Sequence, residues 1–153
     1  MRGPSFPFLP SVARRRRYAA AIAAVLACLL AFCWLKARHY PAEAIAVASA
    51  FVRHAQARQF AQAHELTTRS GSVGANPAQL EEASRRELCN ATRVASTSPF
   101  QSNGNRLRRW LSGTSVEMPE IRVEFEGACL LGVTVRHTPH HGWRVSRFAS
   151  HAG

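Results

Sequence analysis

Aspartate is absent from this sequence, and lysine occurs once, at Lys36, so that 19 of the 20 basic residues are arginine. The missing aspartate excludes any mechanism that needs an aspartate nucleophile, an aspartate base or a metal site built from aspartates. Hydrophobic residues make up 46% of the chain, which is too large a share for a disordered protein. The length of 153 residues allows one modest domain, or a small domain with an appendage.

A stretch without any charge, residues 18–35, dominates the N-terminal third of the chain. A helix rises ~1.5 Å per residue, so this stretch would span about 27 Å, close to the hydrocarbon thickness of a bilayer. Tyr18 and Trp34 fall at its two ends, where aromatic rings settle at membrane interfaces. The cations that come immediately before it are Arg14, Arg15, Arg16 and Arg17. We therefore expect a single-pass helix in the inner (cell) membrane.

The excess of cations before the apolar stretch predicts that the N-terminus stays in the cytoplasm and that the C-terminal part is exported to the periplasm. In chain order, the sequence predicts a cytoplasmic basic tail (1–17), a transmembrane helix (18–35), a linker (36–41), an exported domain (42–149) and a short tail (150–153). A cleaved signal peptide and a lipoprotein signal ending at Cys28 are alternatives. A retained anchor fits better, because the apolar run is long and ends without a small-residue cleavage site.

Most of the net charge of +11 belongs to the N-terminal 40 residues. Residues 41–153 carry 13 arginines against 9 glutamates, a net charge of only +4. Nucleic acid is therefore not an expected partner. The lipid bilayer and another envelope protein are the expected partners, and the arginine run also suits anionic lipid headgroups. The sequence leaves open whether the chain forms homo-oligomers.

The hydrophobic period of the exported part changes halfway along. Apolar residues at spacings of three and four predict helices, which we expect over 42–67, with a break near Arg58–Gln59, and over 77–88. Alternating apolar residues then predict strands. The strands are expected at 121–125, 129–135 and 143–148, with weaker candidates at 91–97 and 106–111. Helices packed on one face of such an antiparallel sheet give an α+β domain.

Two segments of the exported part are similar to a known family. Residues 51–66, FVRHAQARQFAQAHEL, resemble the first helices of the NTF2-like (cystatin-like) superfamily, and residues 142–148, GWRVSRF, resemble its last strand. The resemblance implies helices packed on a curved antiparallel sheet that surrounds a pocket, over most of residues 42–149. It does not imply one function, because the superfamily includes enzymes, ligand binders and assembly modules.

The four cysteines divide into two pairs. Cys28 and Cys33 lie in the apolar stretch and point too far apart around a helix to bond to each other. Cys89 and Cys129 belong to the exported part, where an even pair in an oxidising compartment predicts a disulfide. This bond would tie the end of the second domain helix to a central strand and add roughly 4 kcal/mol in the chain-entropy model. Free thiols are the alternative.

Candidate catalytic and metal-binding residues are few. His137, His140 and His141 surround the last turn, but adjacent side chains of an extended segment point apart, so we expect a solvated turn. The sequence does not settle whether this turn binds a metal. His54 is the best available acid–base residue, and nothing in the sequence orients it for that role. We therefore expect no cofactor, no metal and a non-catalytic domain.

The densest basic cluster outside the N-terminal run is formed by Arg106, Arg108 and Arg109 beside Trp110. One interpretation is an exposed strand face. The other is a docking patch for an acidic partner or a lipid headgroup, with Trp110 as its anchor.

Two functional hypotheses of different classes follow. In the first, the exported domain is a non-catalytic protein-interaction or assembly module of the cell envelope. In the second, it binds or transforms a small apolar ligand in a pocket lined by Phe51, His54, Phe125 and Trp143. A deep cavity with a polar group at its floor would favour the second hypothesis, and a filled interior with an exposed apolar edge would favour the first.

Overall fold

The computed structural model describes residues 12–70 and 72–151, which form an apolar N-terminal helix followed by an α+β unit. The helices are α1 (Val12–Lys36), α2 (Ala42–Gln56), α3 (Phe60–Glu65), α4 (Pro77–Glu87) and α5 (Asn103–Leu111). The strands are β1 (Arg38–His39), β2 (Ala91–Ser98), β3 (Gln101–Ser102), β4 (Glu120–Gly127), β5 (Leu130–Thr138) and β6 (Gly142–His151). The α+β class predicted from the change of hydrophobic period is confirmed.

Helix α1 extends beyond the apolar stretch 18–35 at both ends, so the arginine run belongs to its first turns. Arginine favours helices, and its long side chain can reach from an apolar environment to water. The segment Arg15–Lys36 is long and apolar enough to cross a membrane, with a mean hydropathy of 2.3, and its apolar window is not buried inside the described chain. Residues 1–11 of the predicted tail lie outside the described residues.

The larger sheet has the strand order β2-β4-β5-β6, and every neighbouring pair is antiparallel. Helix α2 crosses one face of this sheet and contacts all four strands. Its buried side chains, including Phe51, join those of Val123 and Val133 on the central strands. Because successive residues of a strand point to opposite faces, the charged residues between them form the outer face. The hydrophobic core therefore lies between α2 and the sheet.

The predicted break after α2 is confirmed at residues 57–59. Arg58 has a left-handed backbone with φ of 57°, which ends one helix before the next begins. The predicted second domain helix is α4. The Asn76 side chain caps it by accepting a hydrogen bond of 3.0 Å from the Gln79 N–H, and Pro77 occupies its first turn.

The predicted linker 36–41 is more than a connection. Arg38 pairs with Ser102 and His39 pairs with Gln101, so that β1 and β3 form a small antiparallel sheet. Only Ala37 separates this sheet from the end of α1. The apolar helix is therefore joined to the α+β unit by hydrogen-bonded structure.

The strand candidate at 106–111 is wrong, because these residues belong to helix α5. The Ser102 hydroxyl caps the helix by accepting a hydrogen bond of 3.2 Å from the Asn105 N–H. Leucine and arginine both favour helices, so the local sequence supports this structure. The basic cluster is therefore part of a helix surface and is not a strand face. The other weak candidate, 91–97, is confirmed as part of β2.

Candidate functional site beside the end of the first helix

The start of α5 is fixed on the end of α1. The Asn103 side-chain amide donates a hydrogen bond of 3.1 Å to the Trp34 carbonyl, and the Asn103 backbone N–H donates one of 3.0 Å to Ala37. Gly104 allows this close approach, since a Cβ at that position would lie 3.0 Å from the Leu35 carbonyl oxygen. The first turn of α5 therefore sits directly on the last turn of the apolar helix.

Arg38 ties the same region to the larger sheet. Its guanidinium donates a hydrogen bond of 3.0 Å to the Thr97 carbonyl of β2 and lies 4.8 Å from the centre of the Phe100 ring. A cation over an aromatic face is attracted by the ring quadrupole. This contact holds Phe100, which is itself exposed, next to the end of α1.

Exposed large hydrophobic side chains are concentrated in this region. Outside α1, those of the described residues are Tyr40, Phe100, Leu107, Trp110, Leu111 and Leu130, and five of these six lie in or beside β1, β3 and α5. A soluble surface rarely gathers exposed apolar groups in one place unless they contact a partner or a membrane. We call Leu107, Arg108, Trp110 and Leu111, all exposed on α5, the α5 patch.

Two residues of the α5 patch, Leu107 and Trp110, border the end of the apolar helix. A surface depression of about 270 Å³ is lined by Trp34 on α1 and by Leu107 and Trp110 on α5, among others. Trp110 is 64% exposed and Leu111 is 71% exposed. The sequence prediction of a basic docking patch does not include Leu107 and Leu111, because it rests on the cluster of arginines. Leu107, Trp110 and Leu111 stand at positions i, i+3 and i+4, and this spacing is typical of one side of a helix.

The structure divides the predicted docking patch of Arg106, Arg108, Arg109 and Trp110. Arg106 forms an ion pair of 2.7 Å with Glu117, and the Arg109 Nε donates a hydrogen bond of 2.6 Å to the Ser115 carbonyl. Both guanidiniums therefore hold the loop that follows α5. Arg108 and Trp110 remain exposed, and the Arg108 guanidinium makes a hydrogen bond of 2.8 Å to Asn105 within the helix.

A second depression, of about 250 Å³, adjoins β1. Its lining includes His39, Tyr40, Glu43, Glu117, His137 and Trp143. Burial and the positive charge of Arg106 hold the pKa of His39 below its usual value, against a smaller opposing effect of Glu117. His39 therefore stays neutral down to a lower pH than an ordinary histidine does.

The four residues predicted to line a pocket do not lie together in the wall of any one depression described above. Phe51 and Phe125 are 0% and 1% exposed, and the Phe51 ring packs 5.3 Å from that of Phe148. Trp143 is 5% exposed. His54 lies near the end of α2, where its Nδ1 shares a hydrogen bond of 2.7 Å with the Gln59 amide oxygen. The aromatic residues thus fill the core, and His54 closes the break after α2.

The three histidines near the last turn are in separate environments. The His137 ring stands edge-on to Trp143, with 5.1 Å between ring centres. His140 is exposed, and His141 lies beside Glu65 and Arg144 at a polar depression of about 370 Å³. Within residues 12–70 and 72–151, no group of three or more histidine, cysteine or acidic side chains is arranged to hold a metal ion.

Cys89 and Cys129 are joined as a disulfide, with 6.3 Å between their Cα atoms. Cys89 follows α4 as expected, but Cys129 lies in the turn between β4 and β5, one residue before the strand on which the alternation had placed it. The Ala128 N–H donates a hydrogen bond of 2.7 Å to Asn90, which supports the same connection. Cys28 and Cys33 are free and exposed on α1.

No protein-family model, curated protein or solved structure matches this chain.

Proposed function

We propose that this chain is a single-pass inner-membrane protein whose domain 42–149 faces the periplasm and acts as a non-catalytic protein-interaction or assembly module of the envelope. The exposed apolar surface of α1 supports the membrane anchor, because a helix that is apolar all round needs either a protein core or lipid around it. The arginine run before α1 supports the cytoplasmic N-terminus. The disulfide supports an oxidising compartment for the domain.

The filled interior is the observation that carries the non-catalytic part of the proposal. Phe51, Phe125 and Trp143, which the pocket hypothesis places at one cavity wall, are at most 5% exposed; Trp143 and Phe125 border two separate surface depressions, and Phe51 borders neither of them. A small apolar ligand would have to displace them. Close-packed cores resist such displacement, because every lost contact costs dispersion and burial energy. The domain therefore offers its surface, and not its interior, to other molecules.

The outer face of the larger sheet is the surface that we assign to a protein partner. It carries ion pairs across neighbouring strands, between Arg93 and Glu126 at 2.6 Å and between Arg136 and Glu120 at 3.6 Å. Both signs of charge alternate there, which favours a partner with a complementary charge pattern. The first strand of this face, β2, is an edge that pairs with β4 alone.

Photo-crosslinking in intact cells tests the proposal. A photoreactive residue replacing Arg136 or Arg147, both exposed on the outer face, should give the same discrete protein adduct in the envelope. A photoreactive residue replacing Leu26 on α1 is the matched control and should give lipid adducts. Capture of nothing but lipid and the protein itself at Arg136 and Arg147 would contradict the interaction module.

Two further measurements separate the parts of the proposal. A reporter enzyme that is active only outside the cytoplasm, fused after residue 153, should be active. A reporter that is active only in the cytoplasm would contradict the topology. Native mass spectrometry of the detergent-purified protein should show no bound small molecule. A stoichiometric apolar ligand would support the pocket hypothesis instead.

A further inference from the structure

We infer that the α5 patch lies in the headgroup layer of the membrane that α1 crosses, with Arg108 beside anionic lipid headgroups. The domain would then touch the bilayer at two places, the end of α1 and the exposed face of α5. This inference rests on the membrane-anchor part of the proposed function and is independent of the identity of any protein partner.

The first argument concerns depth. The uncharged stretch 18–35 spans about 27 Å as a helix, which places its last residues at the surface of the hydrocarbon layer. Trp34 is one of these residues, and Trp110 lines the same depression as Trp34. The hydrogen bond from Asn103 to Trp34 and the close packing of Gly104 on Leu35 fix α5 at this level. A side chain beside Trp34 lies where the lipid headgroups lie.

The second argument concerns the side chains of the patch. Leu107, Trp110 and Leu111 are spaced i, i+3 and i+4, so they share one side of α5, and all three are exposed. Helices that lie in a membrane surface present apolar and aromatic residues on one side and cations on the other or at the edge. Tryptophan is enriched at this depth, because its ring is apolar and its N–H needs a polar partner.

The third argument concerns charge. Arg108 flanks the apolar side of α5 and is exposed. Lys36 is the last residue of α1, and Arg38 follows two residues later in β1, so both cations lie close to the level of Trp34 in the chain. Glu117, the nearest acidic residue of the following loop, is paired with Arg106 at 2.7 Å. Most of the charged side chains near the proposed headgroup layer are therefore cations, and anionic lipid headgroups attract such cations.

A protein partner is the other occupant that an exposed apolar patch can have. The lipid surface is favoured here because the patch lies beside the end of α1, at the depth where a bilayer would already surround it. A partner protein would have to reach the patch through the headgroup layer.

Fluorescence quenching in lipid nanodiscs tests the inference with the full-length protein. Trp143 is kept in every variant because it is buried. Trp34→Phe leaves Trp110 and Trp143, Trp110→Phe leaves Trp34 and Trp143, and the double variant gives the Trp143 baseline. Phosphatidylcholine–phosphatidylglycerol discs with bromine near the headgroup end of the acyl chains should quench the fluorescence of Trp110 above that baseline.

Charge reversal of Arg108 sharpens the test. Arg108→Glu in the Trp34→Phe background should reduce, but not abolish, the quenching of Trp110 in discs that contain phosphatidylglycerol, because the contacts of Asn103 and Gly104 still hold α5 on the end of α1. Arg86→Glu, a change of equal charge at an exposed position on α4, is the matched control and should leave the quenching unchanged. Equal loss in both variants would contradict a specific role of Arg108 and overturn the inference.

The outcomes distinguish the inference from the proposed function. Quenching of Trp34 without quenching of Trp110 would overturn the inference and leave the anchor in place. Absence of quenching at both positions would overturn the anchor, and with it the proposed function and the inference. A photoreactive residue at Leu111 in intact cells should give lipid adducts, and a discrete protein adduct there would show a protein interface and overturn the inference.

Discussion

Trp143 and Trp110 carry the same side chain in two opposite settings. Trp143 is 5% exposed between the sheet and the segment that follows α1, whereas Trp110 is 64% exposed beside the end of the apolar helix. Burying an aromatic side chain stabilises a fold, and leaving one in water costs solubility unless something covers it. The comparison separates a core region, where aromatic residues hold the domain together, from a junction region, where they are available for contact.

The largest expected difference between the two regions is in the loss of unfolding free energy when an aromatic side chain is truncated to alanine. Phe51→Ala removes a fully buried ring from between α2 and β6, and we expect a loss of about 3–5 kcal/mol in the free energy of unfolding. Trp110→Ala should change it by less than about 0.5 kcal/mol, because the side chain is exposed. Denaturant unfolding of the full-length protein in detergent, followed by near-UV circular dichroism, measures both. Equal losses would mean that Trp110 belongs to the core.

Removing the disulfide should have the next largest effect. Cys89→Ser with Cys129→Ser releases the connection between α4 and the β4–β5 turn, and we expect a loss of about 2–4 kcal/mol in unfolding free energy. Cys28→Ser with Cys33→Ser is the matched control on α1, where both thiols are free. A reducing agent should lower the unfolding midpoint of the natural protein and leave that of the disulfide-free variant unchanged. An unchanged midpoint in both would contradict the structural role of the bond.

Two arginines of α5 are expected to differ in their contribution to stability, because Arg106 is paired with Glu117 and Arg108 is exposed. Arg106→Gln breaks the ion pair with Glu117 and should cost about 1 kcal/mol, because both side chains of the pair are partly buried. Arg108→Gln should cost less than about 0.5 kcal/mol, since its side chain is exposed. Hydrogen exchange of the loop 112–119 should increase in the first variant only. Increased exchange in both would place Arg108 among the residues that hold this loop.

The smallest expected effect is the contribution of His39 to the loss of thermal stability at low pH. Its pKa is lowered in the folded protein, mainly by burial and by Arg106, so the unfolded chain binds the proton more tightly. Stability is therefore full above the ordinary histidine pKa of about 6.5 and falls as the pH drops through the lowered folded value. We expect His39→Asn to reduce this acid-dependent loss of Tm by less than about 4 °C.

The matched control for this measurement is His140→Asn, which changes an exposed histidine of the last turn. Thermal melts between pH 5 and pH 8 compare the natural protein with both variants. A steeper acid loss in His39→Asn would contradict the direction of the pKa shift.

The regular elements of the core region could be predicted from the sequence, because their side chains alternate or repeat on one face. Residues 121–125 and 143–148 show a period of two, and the break near Arg58 shows as a change of phase between two helical stripes. These patterns are local, so a single sequence contains them. Cys129 differs, because it lies in a turn one residue before β5, although it continues the alternation of that strand.

The junction region could be predicted only in part, because its structure depends on contacts between distant segments. The two-residue strand β1 forms by pairing with β3, about 60 residues further along the chain. Helix α5 is short and strongly basic, and its segment Arg106-Leu107-Arg108 places one apolar residue between two charged ones, as an exposed strand would. The sequence predicts the basic cluster beside Trp110, but it does not predict that Arg106 holds the following loop, because that role depends on the position of Glu117 in the folded chain.

The connection through Ala37 has a consequence for how the protein meets a partner. A flexible linker of ten residues would let a domain move up to roughly 35 Å from its point of attachment. Here one residue separates α1 from β1. If α1 anchors the chain in a membrane as proposed, the domain would keep a nearly constant height and tilt as it diffuses in the plane of that membrane. Encounters then occur between bodies that are already oriented, and less rotational entropy is lost when they associate.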